Sequence, residues 1–340
     1  MKLRSMAVAV VILWLPGCTS NRSNQPAATQ QSPGLEVEPV ASLTLTEGPT
    51  VDRDGSVYFT VGGVVGSRLL KWTDGEPSGT EPGLRGLRGR VEVVRQYGAG
   101  ALILDAEGRL LAAERGPNGD RPGVTRTDLK SGEVQWLADR YQGKRFDNPN
   151  DLTIDGKGRV YFTDRPGAKP APDETGINAV YRVDPDGTVA QILKAPEIER
   201  PNGIVVSPDD KTLYLIEAHI KTGGARLIRA YDLSAGGTVA NMRVFYNFSP
   251  GRSGDGMTVD TQGNLYVAAG LNIPRGSDET MDNKAGIYVI SPAGQLKRFI
   301  PIPEDLVTNV AFGGPDMKTL YVTAGKMLFR VRVDTAGTGR

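Results

Sequence analysis

FDNPNDLTIDGKGRVYFT, Phe146 to Thr163, is the stretch from which the rest of the chain can be read. Leu152 and Ile154 alternate with polar neighbours, Asp155 to Gly158 supplies turn chemistry, and Arg159 to Thr163 is a β-branched and aromatic run. That pattern predicts a short hairpin. The polar cluster Asn148, Pro149, Asn150, Asp151 stands just before its first strand.

The hairpin recurs. TVDRDGSVYFT ends at Thr60, ILDAEGRLLAA at Ala113, VVSPDDKTLYLI at Ile216, TVDTQGNLYVA at Ala268 and AFGGPDMKTLYVT at Thr323. Anchored on Tyr58, Leu110, Tyr161, Tyr214, Tyr266 and Tyr321, the copies are 52, 51, 53, 52 and 55 residues apart. A period near fifty with several strands per repeat is the signature of a β-propeller in which each repeat is one blade. The six copies therefore predict an all-β fold, a six-bladed β-propeller with a central metal site. Third strands are expected at Arg68 to Trp72, Val124 to Thr127, Ala179 to Val183, Leu227 to Tyr231, Gly286 to Ile290 and Met327 to Val333. Fourth strands are legible in four units, at Val134 to Leu137, Val189 to Leu193, Met242 to Phe248 and Leu296 to Ile300. The DG, DD and QG turns share one end of the hairpins, so a site belongs at the opposite face, before each first strand and after each second.

The N-terminus has a different character. Lys2 and Arg4 precede an apolar run from Met6 to Leu15, too short to span a bilayer and laid out as a secretory signal over residues 1–17. Leu15-Pro16-Gly17-Cys18 resembles a bacterial lipobox, in which Cys18 is lipidated and becomes the mature first residue, although Pro16 departs from the usual pattern. An ordinary cleaved signal with an incidental Cys18 is the alternative. Thr19 after the cysteine favours the outer membrane, so the expected location is periplasmic or cell-surface, held to the membrane by the lipid alone. Residues 18–35, rich in Ser, Asn, Gln and Pro, read as a flexible tether, and 36–340 as the propeller. Val37 to Leu45 is expected to pair with the last blade and close the ring. The single cysteine leaves no disulfide once lipidated. Without Lys2 and Arg4 the net charge falls from +1 to about −1, with no basic stripe, which argues against nucleic acid as a partner. A monomer is expected.

Chemistry enters when the repeats are aligned just before the first strand. Eleven residues ahead of the anchors stand Glu47, Ala99, Asn150 and Asp255; in the fourth and sixth units, whose turns are longer by one, the matching positions are Asn202 and Asn309. Blade symmetry gathers them around the channel. Two carboxylates and two or three amide oxygens form a hard, oxygen-only set of the kind Ca2+ prefers, another divalent cation being the alternative. Asn and Asp before a strand are also ordinary turn formers, and Asn309 is read as channel-lining or structural. A single histidine makes zinc improbable.

Glu47-Gly48-Pro49, Asn148-Pro149-Asn150-Asp151, Pro201-Asn202-Gly203, Gly254-Asp255-Gly256 and TNVAFGGPDMKTLYVT from Thr308 to Thr323 resemble the SMP-30/gluconolactonase/regucalcin-like family, and more distantly paraoxonases and diisopropyl fluorophosphatase. The resemblance spans nearly all of the chain after the tether. It implies a six-bladed propeller that holds a divalent cation, usually Ca2+, and hydrolyses sugar lactones. Glu47, Asn202 and Asp255 would be metal ligands, and Asn150 a further ligand or a substrate contact. Asn148 stands where some members carry a substrate arginine, so a preference for gluconolactone itself does not transfer.

His219, after the second strand of the fourth unit, is a candidate substrate contact or general base, or a solvated loop residue. Glu114 and Asp164 end their second strands on the same face and either line the pocket or cap the loop. The long polar loops Arg165 to Asn178 and Gly270 to Lys284 are functional or disordered. The expected activity is calcium-dependent hydrolysis of a lactone or related ester. In it the ion polarises the carbonyl, and Asp255, a ligand with a second oxygen free, deprotonates or positions the water. The alternative is a non-enzymatic surface propeller that binds a sugar acid or a protein around a structural ion; phosphotriester hydrolysis would call for a more apolar pocket.

Overall fold

A computed structural model of the chain describes residues 35–42, 45–62, 67–79, 85–167, 170–276 and 278–339. Contacts divide the chain into Met1–Gln30 and Gln31–Arg340, and all described residues belong to the second unit. The expected signal, Cys18 and nearly all of the tether lie outside them.

Every regular element among the described residues is a strand, and all but the two-residue strands form six antiparallel blades. The first blade runs outward from Thr46–Val51 through Val57–Val61 and Arg68–Thr73 to Arg90–Arg95. The second comprises Ala99–Leu104, Leu110–Glu114, Gly123–Thr127 and Val134–Ala138, and the third Pro149–Ile154, Val160–Asp164, Ala179–Val183 and Val189–Lys194. The fourth is built of Pro201–Val206, Thr212–Ala218, Arg226–Leu233 and Val239–Asn247, the fifth of Gly254–Val259, Leu265–Ala269, Gly286–Ile290 and Leu296–Pro301. In the sixth, Val307–Gly313, Thr319–Ala324 and Met327–Arg332 are completed by the N-terminal strand Val37–Ser42, which pairs with Met327–Arg332 and closes the ring as expected. Fourth strands thus occur in all six blades. The one at Arg90–Arg95 was hidden in the sequence because a long stretch, Asp74 to Gly89, separates it from its partner.

The hairpin turns follow from aspartate chemistry. Oδ1 of Asp52, Asp105, Asp155 and Asp260 each accepts two backbone N–H groups of its own turn at 2.8–3.1 Å, a side chain standing in for a backbone acceptor. The core lies in wedges between adjacent blades. Tyr266, Ile287 and Val289 of the fifth blade pack on Val310, Phe312 and Leu320 of the sixth, and Val57, Phe59 and Trp72 of the first pack on Val40, Ala41 and Leu328. Because burial is satisfied between blades, the axis carries no packing duty and is left for polar groups.

Each innermost strand contains one irregularity in its pairing, at the same place in all six blades. Register shifts fall between Glu47 and Thr50, Ala99 and Ala101, Pro149 and Leu152, Pro201 and Ile204, Gly254 and Met257, and Val307 and Asn309. Such a bulge sets one residue outside the strand's alternation and re-aims its side chain. The register also corrects two positions. Leu111, rather than Leu110, pairs as Tyr161 does, and the sixth turn is two residues longer than the common one. The first ring of equivalent residues is therefore Glu47, Gly100, Asn150, Asn202, Asp255 and Thr308, so Ala99 and Asn309 do not belong to it. The ring one residue further along is Gly48, Ala101, Asp151, Gly203, Gly256 and Asn309.

Small residues dominate the second ring because neighbouring backbones approach there. A Cβ on Gly203 would stand 2.5 Å from the Asp255 carbonyl oxygen and 2.8 Å from Ile216 Cδ1. Gly203→Ala is accordingly expected to cost about 1–3 kcal/mol by overpacking, whereas Gly167→Ala, where a Cβ meets nothing within 4 Å, stays within about 0.5 kcal/mol of wild type. Urea denaturation of both variants checks this; equal stabilities would refute it.

Candidate active site at the propeller axis

The two rings bring three carboxylates together. Asp255 is held by both oxygens: Asn202 Nδ2 donates to Oδ1 at 2.6 Å and Arg252 Nη2 to Oδ2 at 2.6 Å. Its second oxygen is therefore not free, because Arg252, three residues earlier, is swung back onto it. Glu47 stands beside Asp255 and Asp151 in the channel. Burial first, then the two neighbouring carboxylates, hold its carboxyl well above the usual range. Asp151, only 6% exposed, is pushed up to about 7, chiefly by burial, although its Oδ1 accepts the Leu152 N–H at 2.7 Å. The Arg165 guanidinium is in electrostatic reach of all three acids and of Arg200; burial weakens its hold on its own proton.

These residues fit a hard divalent cation. The donors are carboxylate and amide oxygens, and three carboxylates at least half-buried side by side, only Asp255 of them paired with an arginine among those described, favour a further positive charge. Among the described residues no three His, Cys, Asp or Glu side chains converge closely enough to form a cage unaided. Amide oxygens must complete it, and Asn150 and Asn202 stand at the level of Glu47 and Asp255. Asp151 was not singled out in the sequence. Its signal was available: the second ring is otherwise glycine, alanine and Asn309, so a carboxylate there is conspicuous once the register is known.

The remaining expected residues have defined places. Asn148 Oδ1 accepts Arg115 Nη1 at 3.2 Å, which joins the second and third blades at the rim. His219 is folded into its own loop, with Nδ1 accepting the Lys221 N–H at 3.1 Å and the ring lying over Gly224. Asn309 packs against Gly256 and its Oδ1 accepts the Val310 N–H at 2.8 Å. Asp164 caps its loop by accepting the Asp147 and Asn148 N–H groups at 3.0 and 2.6 Å, and Glu217, in the fourth blade, does the same for Glu199 and Arg200 at 3.1 and 2.7 Å. Glu114, at the corresponding place, pairs instead with Arg95. The two long loops are tied down where described: Asp147 accepts Thr175 and Gly176, and Lys221 reaches Asp278 at 3.1 Å.

A cavity of about 930 Å³ lies on the turn side of the three carboxylates. It is lined by the innermost strands of all six blades, among them Thr50, Ile103, Thr153, Val205, Thr258 and Ala311, and reaches Asp151 and Asn309. Its lining includes none of Glu47, Asn150, Asn202 or Asp255.

The family model described as the SMP-30/Gluconolactonase/LRE-like region matches residues 45–326. A gluconolactonase of Zymomonas mobilis subsp. mobilis is 29% identical over 323 residues, which cover 88% of this chain and 82% of that protein. A pentonolactonase of Haloferax volcanii is 33% identical over 195 residues, 54% of this chain and 57% of that protein. The solved structure of a gluconolactonase from Xanthomonas campestris superposes with a TM-score of 0.69 at 28% identity, covering 88% of this chain and 90% of that one.

Asp151 gives the site a pH signature. Its folded pKa of about 7 lies above the unfolded value of about 4, so the metal-free protein loses stability as pH rises between them, and the penalty is complete above about 7. In chelator, Asp151→Asn should therefore stabilise the protein by a few kcal/mol at pH 8 and by close to nothing at pH 4. Denaturant midpoints at the two pH values measure this, and an effect independent of pH would contradict it.

Proposed function

Because the chain belongs to the SMP-30/gluconolactonase/LRE-like family, we infer that it is a lactonase, a hydrolase that opens a sugar lactone with water and depends on a divalent cation, Ca2+, at the propeller axis. The observation that carries this reading is the group of buried Asp151 and half-buried Glu47 and Asp255, with the Asn202 amide on Asp255. Glu47, Asn202 and Asp255 would hold the ion, with Asn150 as a further ligand or a substrate contact. When bound, the cation supplies Lewis acidity at the lactone carbonyl and a counter-charge for the developing oxyanion.

The chain's own residues do the rest. A carboxylate offers about four acceptor positions, and Asn202 and Arg252 occupy one on each Asp255 oxygen, so Asp255 retains room to accept a proton from the attacking water and orient it. Arg252, itself buried and donating to the Gly270 and Val307 carbonyls at 3.4 and 3.3 Å, fixes the angle of that carboxylate. Asp151, with its carboxyl near 7, is the group best matched to hold the released proton at neutral pH. Asn148 and Asn150 offer amides to the sugar hydroxyls, and His219 offers Nε2 at the rim, its Nδ1 being occupied.

Calcium titration beside a lactone assay tests this. Chelator should abolish turnover and Ca2+ restore it. Glu47→Ala and Asp255→Ala should each weaken calcium binding by about tenfold or more, Asp255→Asn should keep some ion while losing about 100-fold or more in kcat, and Asn150→Ala should retain more metal than Glu47→Ala. Full activity in Asp255→Ala would sink the mechanism.

We also propose that the chain is exported and anchored through Cys18, on the strength of Leu15 to Cys18 and the polar residues that follow. Labelled fatty acid is expected in the wild type and not in Cys18→Ser; equal labelling would remove the proposal.

A further inference from the structure

Four arginines lie close in sequence to the ends of the inner two strands on the site face. Arg115 follows Glu114 and Arg165 follows Asp164, at the ends of second strands; Arg200 precedes Pro201, and Arg252 lies three residues before Asp255. Arg252 is committed to Asp255. The other three guanidinium groups have no ion pair among the described residues, and Arg115 makes only neutral contacts, with Asn148 Oδ1 and, at 3.5 Å, the Gly119 carbonyl. Nε of both Arg115 and Arg200 is buried without a partner.

The acids nearby are largely engaged, although Glu114 Oε1 and Asp147 Oδ1 are buried without a hydrogen-bond partner. Glu114 pairs with Arg95, while Glu217 takes Arg229 Nε at 2.9 Å together with two backbone N–H groups. Asp164 is filled by the Asp147 and Asn148 N–H groups, and Glu199 Oε2 accepts the Ala225 N–H at 2.8 Å. Arg165 is in electrostatic reach of Asp255, Glu47 and Asp151 and also of Arg200. A bound divalent cation balances those three carboxylates, and what remains at the mouth is then positive. Unpaired guanidinium groups side by side in a partly buried place are costly unless an anion joins them, and their planar forks match carboxylate, sulfonate and phosphate oxygens.

We propose that the substrate is an anionic sugar lactone, carrying a carboxylate, sulfonate or phosphate remote from the ring carbonyl, and that Arg200 with Arg165 and Arg115 receives that group. The proposal rests on the lactonase reading and refines its substrate. Hydrolysis adds one water across the acyl–oxygen bond and releases a hydroxy acid, so the product carries one more negative charge than the lactone.

The test compares kcat/KM, with Ca2+ supplied, for a neutral aldonolactone and for its counterparts bearing a carboxylate, a sulfonate or a phosphate on the carbon farthest from the carbonyl. The wild type should prefer at least one anionic lactone by tenfold or more, and which of the three it is names the group. In Arg200→Gln that ratio should fall at least tenfold, with Arg200→Lys in between because it keeps the charge and loses the fork. A wild-type ratio near one for all three lactones overturns the proposal, as does a ratio unchanged in both Arg200→Gln and Arg165→Gln. If no lactone is hydrolysed at all, the lactonase reading fails. Calorimetry with the three anionic sugar acids then decides the anion site by itself, binding weakened in Arg200→Gln supporting it and no binding to wild type overturning it.

Discussion

The one extra residue in each innermost strand is what allows a stack of sheets to become a site. A regular strand would alternate its side chains between the two neighbouring wedges and leave nothing directed at the axis. The shift in pairing at Glu47, Gly100, Asn150, Asn202, Asp255 and Thr308 breaks that alternation at one height in every blade. The same ring also fastens blade to blade. Thr308 Oγ1 donates to the Thr46 carbonyl at 2.9 Å, across the seam between the last blade and the first, and Gly100 leaves room for the Asn150 carbonyl of the next blade. Structure and site are therefore set by the same few backbone torsions, and glycine stands at Gly48 and Gly203 of the second ring because a Cβ there would meet the carbonyl oxygen of the neighbouring blade at 2.5 Å.

Into that frame the sequence places charges that the fold alone would not tolerate. Glu47, Asp151 and Asp255 repel one another in a buried channel, and burial together with that repulsion drives the first two toward their protonated forms. Stabilisation forgone at a functional site is the usual compromise between stability and activity. Here the offset comes from six separate apolar wedges, none of which passes through the axis. The two kinds of residue are kept apart by geometry, so the polar channel costs little packing.

The fold was legible in the sequence because a fifty-residue period survives variation in individual strands: six hairpins with an aromatic or leucine anchor leave few architectures open. Strand Val37–Ser42 could be assigned to ring closure because it was surplus to the six repeats. The heights of individual residues were less legible. Leu110 beside Leu111 gave no indication of which one faces which way, and a two-residue lengthening of the sixth turn looked like one, so Ala99 and Asn309 were each placed one residue away from the ring that Gly100 and Thr308 occupy. Asp151 was passed over because its neighbour Asn150 matched the ligand pattern. That Arg252 would claim the second oxygen of Asp255 depends on a turn between strands, which no spacing rule describes.

Glu38, in the strand that completes the last blade, accepts Arg330 Nε at 2.7 Å across 292 residues of chain. A contact of that span cannot form until Arg330 has been made, and the entropy of closing so long a loop must be met before the reward arrives. Five blades can assemble from local hairpins as their own residues appear, but the sixth waits with an unpaired outer edge. During that interval the half-built last blade is the part of the molecule most open to pairing with another chain's edge.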